Sequence, residues 1–135
     1  MSVNVDIVRR VFTAFEHRDL ASLRGLTRPD VVFEPVTARM VADAGEAYRG
    51  HEGLGRYLAD VARVWQELRP VPDRYREGDD GIVVATGRVY AWGEGRVIDA
   101  PAGWLWRLED ELVVYGRVFD TATAALEAAG MSDWR

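Results

Sequence analysis

The chain has no cysteine and no lysine, and only two histidines and five prolines in 135 residues. Without cysteine there is no disulfide, no thiolate metal site and no cysteine nucleophile. His17 and His51 alone leave little room for a histidine-rich metal centre, and no metal is expected. All 17 cationic side chains are arginine, which is read as a compositional habit without functional weight. The 22 acidic residues outnumber them and leave a net charge of −5 at pH 7. That balance argues against nucleic acid, because phosphate binding needs a basic face. No apolar run approaches the ~20 residues of a membrane span, so no membrane partner is expected. The opening MSVNVDIVRR lacks the apolar stretch of a signal peptide, which leads to the expectation of a soluble cytoplasmic protein. What is present is a hydrophobic share of 48%, that of one packed domain rather than a disordered chain. Residues 1–130 read as that domain and 131–135 as a tail.

Helical patterning fills the first half. Val8, Val11, Phe12 and Phe15 form one stripe of a helix over 4–17. Asp19 caps a second short helix through Leu20, Leu23 and Leu26. Val31–Phe33 make a short strand cut at Pro35, and 36–47 read as a loop or lid around Met40 and Val41. After Gly50 a long helix carries Leu54, Tyr57, Leu58, Val61, Trp65 and Leu68 on one face, and Pro70 is expected to stop it. Strands follow at 71–78, 82–92, 97–108 and 112–119, joined by turns short enough to force antiparallel neighbours. A last helix over 121–129 starts at Asp120 or Thr121 and ends at Gly130. Helices followed by hairpins give an α+β fold, with helices on one face of a curved antiparallel sheet.

The strands are apolar on both faces. In 82–92 one face reads Ile82, Val84, Thr86, Arg88, Tyr90, Trp92, and the other Val83, Ala85, Gly87, Val89, Ala91. Three helices cannot cover both faces, so a homodimer through the sheet is expected. The face combining aromatics with single charges is read as the pocket: Arg88 beside Tyr90, Arg117 between Tyr115 and Phe119, with Trp104 and Trp106 on the neighbouring strand. Glu34 is the natural counter-charge. The expectation is one shared hollow for a small hydrophobic molecule.

The order of elements and three segments, VVFEPV (31–36), YRGHEGLGRYL (48–58) and YGRVFDTATAALEAAG (115–130), resemble the SnoaL-like branch of the nuclear transport factor 2-like superfamily. That superfamily also holds ketosteroid isomerase and limonene epoxide hydrolase. The resemblance implies a cone-shaped curved sheet with three to four helices on its concave side and a pocket at the wide end. It also implies a dimer, and function without cofactor. Glu34 stands where ketosteroid isomerase keeps its proton-shuttling aspartate. Val11 and Trp104 stand at the places of its oxyanion donors, and neither supplies an acidic proton. Arg88 matches the arginine of the limonene epoxide hydrolase site, where Tyr90 and Arg117 replace its aspartates. SnoaL-type polyketide cyclases also carry an aspartate at the Arg117 place.

Three functions follow. The first is a cofactor-free enzyme, an isomerase, cyclase or hydratase acting on a small carbonyl compound. Glu34 would be its base, and Arg88, Tyr90 and Arg117 its polarising groups. Trp65, Trp104, Trp106, Tyr115, Phe12 and Val11 would hold the substrate. The second is a non-catalytic binding protein for an apolar carboxylate. The third is a dimeric structural or accessory domain whose pocket is filled by its own side chains. Separately, Glu34, Arg88 and Arg117 could be a buried structural ion-pair cluster that satisfies itself.

Overall fold

A computed structural model describes residues 2–35 and 47–131. Helix α1 (Val3–Glu16) begins where the Ser2 hydroxyl accepts from the Val5 amide at 3.2 Å. Helix α2 (Leu20–Leu26) is capped by Asp19, whose carboxylate accepts from the Ser22 amide at 3.1 Å. Strand β1 (Thr27–Glu34) follows directly and runs through Pro29. The loop read over 36–47 lies outside the described residues, except at Ala47. A two-residue strand β2 (Tyr48–Arg49), absent from the sequence reading, pairs with β1 and leads into α3 (Gly50–Val64).

Helix α3 ends earlier than expected. Trp65 takes an extended conformation at its C-cap, and Gln66 donates its amide to the Trp92 carbonyl at 2.8 Å. Leu68 and Pro70 therefore belong to strand β3 (Glu67–Glu77). This strand lies at the sheet edge, where a proline's missing amide costs no ladder bond. The apolar spacing of Trp65 and Leu68 suits either element, and edge pairing decides. Strands β4 (Ile82–Gly93), β5 (Arg96–Glu109) and β6 (Leu112–Phe119) complete a hairpin series, followed by α4 (Ala122–Ala128). Glu94 and Gly95 both have positive φ, as do Asp110 and Glu111, the backbone of tight two-residue hairpin turns.

Among the described residues six strands form one curved sheet in the order β2-β1-β6-β5-β4-β3. The series β3 to β6 is antiparallel, as the short turns demand. The sheet as a whole is mixed, because β1 pairs with β6 in parallel. No hairpin joins these two strands, so no turn constrains their direction. Helices α1 and α3 cover the concave face, together with α2. Val8, Val11, Phe12, Leu54 and Val61 pack there against Val83, Ala85, Trp104 and Trp106. Helix α4 takes the other side. Its Ala125 and Leu126 bury Val84, Leu105 and Phe119 on the outer face, and Met131 joins them. Gly103 permits that contact, because a Cβ there would stand 2.6 Å from the Ala125 methyl. Among the described residues no helix is long and apolar enough to cross a membrane.

Candidate functional site

The concave face encloses a hollow walled by rings. The stripe on α1 supplies Phe12 and Phe15, α3 supplies Tyr57, Leu58 and Val61, and the sheet supplies Phe33, Val89, Trp104, Trp106 and Val118. The rings touch edge to face. Phe12 meets Trp104 at 5.0 Å and Trp106 at 5.6 Å between centroids, and Phe33 meets Tyr57 at 4.8 Å. Phe33 and Trp106 lie parallel, 6.1 Å apart. Gly116 makes the seat for Trp106, whose Cζ3 and Cε3 lie 2.4 and 2.6 Å from where a Cβ would be. The hollow is tight. The space open to the centre of a water molecule is about 30 Å³, room for about two waters.

Among the described residues, three polar groups belong to this wall. Arg18, at the junction of α1 and α2, has a left-handed backbone (φ 52°). Its Nη2 donates to the carbonyls of Trp65 at 3.3 Å and Gln66 at 3.1 Å, tying that junction to the end of α3. Burial pushes the Tyr57 hydroxyl far above its ordinary range, with neighbouring Tyr48 adding to the effect, so Tyr57 stays protonated and can donate. Trp106 is buried, and its indole Nε1 has no hydrogen-bond partner among the described residues. No Asp or Glu lines the hollow among the described residues. Among them, too, no group of three His, Asp or Glu is placed to hold a metal ion.

The shared hollow expected for Glu34, Arg88, Tyr90 and Arg117 is not what the sheet builds. Val89 and Val118 face the hollow, so strand alternation turns Arg88, Tyr90 and Arg117 to the outer face. Glu34 lies level with Arg117 on the neighbouring strand, one residue beyond pocket-lining Phe33. The four side chains also split into two groups. Glu34 accepts a short hydrogen bond from the Tyr115 hydroxyl, and Arg117 lies 4.6 Å over the Phe119 ring. Burial, then the Glu34 carboxylate, pushes the Tyr115 hydroxyl up to about 12. Arg88 instead pairs with Asp99 at 2.7 Å, both side chains about half exposed at 47% and 50%. Tyr90 stands beside it, with Arg69 5.9 Å from its ring. Of the proposed substrate-holding residues, Phe12, Trp104 and Trp106 line the hollow. Val11 and Trp65 are buried in the core without lining it, and Tyr115 packs on the outer side near α4.

Residues 8–116 match the family model for the SnoaL-like domain, which is well over half the chain. The chain belongs to the SnoaL-like domain family. Among solved structures it is similar to a nuclear transport factor 2-like protein of unknown function from Burkholderia pseudomallei K96243. That pair shares 23% identity over 94% of this chain and 97% of the other, with a TM-score of 0.79. TerC, co-crystallised with polyporic acid, is 22% identical over 93% of this chain and 97% of its own, at a TM-score of 0.78. A putative SnoaL-like polyketide cyclase from Jannaschia sp. CCS1 is 20% identical over 97% of this chain and 94% of its own, at a TM-score of 0.72. At these identities the likeness is one of fold. No curated protein sequence matches.

Sequence reasoning passed over Arg18, Phe33, Tyr57, Val89 and Val118 as site residues. A signal for them existed in the strand parity. Large indoles on β5 need small neighbours across the sheet, and Val83, Ala85, Gly116 and Val118 supply them in register with Trp104 and Trp106. That parity excludes Arg88 and Arg117 from the hollow. Arg18 carries no comparable signal, because its reach across to the end of α3 depends on the tertiary fold.

Proposed function

We propose that this SnoaL-like protein binds a small, flat, apolar carboxylate in the ring-lined hollow, without proton transfer by Glu34. Arg18 carries the reading. Among the described residues it is the charged side chain on an otherwise apolar and aromatic wall. Two main-chain carbonyls occupy its Nη2, and the rest of its five-donor fork suits a carboxylate. Flat rings in the ligand suit edge-to-face walls of Phe12, Phe15 and Phe33. Isomerase, cyclase or hydratase chemistry ranks behind binding, because it needs a proton-moving group within reach of the substrate. Glu34 lies on the other side of the sheet, bonded to Tyr115.

The small volume favours a second reading, a hollow filled by its own rings, since a drug-sized ligand needs ~300 Å³ or more. Titration with 4-ethylbenzoate and with its uncharged amide, followed by tryptophan fluorescence, separates the two. Under the binding reading the carboxylate binds about tenfold more tightly than the amide, the worth of a charge-assisted hydrogen bond. Arg18→Met removes that preference, and Glu34→Gln binds as the parent does. If neither compound binds at millimolar concentration, the filled-core reading holds. If Glu34→Gln loses affinity, Glu34 belongs to the site after all.

The reading includes a homodimer through the outer face of the sheet. Among the described residues, helix α4 leaves one corner of that face uncovered, with Tyr90 37%, Trp92 45% and Val97 79% exposed. Glu67 and Asp99 alternate there with Arg69 and Arg88 along the paired strands, an arrangement that can complement a second copy of itself. A monomer in sedimentation at micromolar concentration would remove this part.

A further inference from the structure

Resting on the binding reading above, we infer that the indole N–H of Trp106 is an inner recognition donor, selecting ligands whose buried end carries a neutral acceptor oxygen. Trp106 is 2% exposed, and its Nε1 is a buried side-chain polar atom without a hydrogen-bond partner among the described residues. A buried donor left unpaired is costly, and buried polar groups in folded proteins are nearly always satisfied. Among the described residues no group accepts from it. Trp106 is enclosed by the rings of Phe12, Phe15 and Phe33 at 5.6, 6.2 and 6.1 Å. Nor is the ring free to turn the nitrogen elsewhere. Its Cε3–Cζ3 edge is seated on Gly116, which fixes the opposite, nitrogen-bearing edge away from β6. Indole nitrogen is donor only, so its partner must be an acceptor. In so apolar a wall, a ketone, aldehyde or phenol oxygen is tolerated far better than a second carboxylate.

With Arg18 on the same wall, the ligand class becomes a flat molecule with an acid at one end and a carbonyl or phenolic oxygen at the other. Tyr57, on the same wall, packs its ring against the same Phe15 and Phe33.

The test compares 4-acetylbenzoate with 4-ethylbenzoate, which differ in the acceptor oxygen, on the parent and on Trp106→Phe. The acetyl compound should gain on the ethyl compound by about fivefold in the parent, relative to the variant, the worth of one neutral hydrogen bond. Should Trp106→Phe fail to fold, the parent alone decides through its indole 15N–1H spectrum. One buried indole proton should move downfield with the acetyl compound and stay with the ethyl compound. If both compounds bind with no difference between parent and variant, and no indole proton separates them, the inference falls while the binding reading stands. If neither compound binds the parent, both fall together.

Discussion

Gly116 offers the sharpest test of how the hollow is built. It lies on the concave face of β6, in register with Trp106, and an added Cβ would stand 2.4 Å from the Trp106 ring. The ring cannot swing clear, because Phe12 and Phe33 flank it at 5.6 and 6.1 Å. Gly116→Ala therefore overpacks the site at a cost of about 1–3 kcal/mol. Restricting the unfolded chain offsets about 0.4–1 kcal/mol of this. The expected net loss is about 1–2 kcal/mol, a fall in Tm of about 3–10 °C for a domain of this size. Gly25→Ala is the matched control, since Gly25 lies inside α2 with nothing within 4 Å of its missing Cβ. It should gain about 0.5–1 kcal/mol from helix propensity. Urea unfolding measures both, and near-UV circular dichroism reports the displaced indole. A Gly116→Ala variant as stable as the parent, with an unchanged aromatic spectrum, would refute the account of Trp106 as a ring locked on a glycine seat.

Two further outcomes follow from the outer face. The Tyr115 hydroxyl is held at about 12 against 10 in the unfolded chain, so the folded state keeps its proton longer. Its contribution to stability is therefore complete below pH 10 and is lost as pH rises towards 12, and Tyr115→Phe should flatten that part of the stability–pH curve. An identical alkaline slope in the variant would show that Tyr115 is not the group responsible. The Arg88–Asp99 pair is half exposed and lies off the hollow, so Arg88→Ala should leave both the urea midpoint and 4-ethylbenzoate binding within scatter of the parent. A clear loss of binding would place Arg88 back in the site.

The sequence by itself determined most of the elements and the family. The stripe of Val8, Val11, Phe12 and Phe15 specifies α1, the Asp19 cap specifies α2, and the tight turns specify the antiparallel series. These are local facts, set by spacing along the chain and by backbone preference at a few turn residues. Tertiary structure decided the parallel docking of β1 on β6, the early end of α3 and the face of the sheet that is hollow. Each depends on partners far apart in sequence. Strand periodicity yields two faces without saying which lies under the helices, and a choice of the wrong one carries every side chain on that strand to the opposite side. Arg88 and Arg117 fell on the outer face for that reason. Arg18 reached the hollow because α1, α2 and the end of α3 converge in space, a meeting that no spacing in the sequence records.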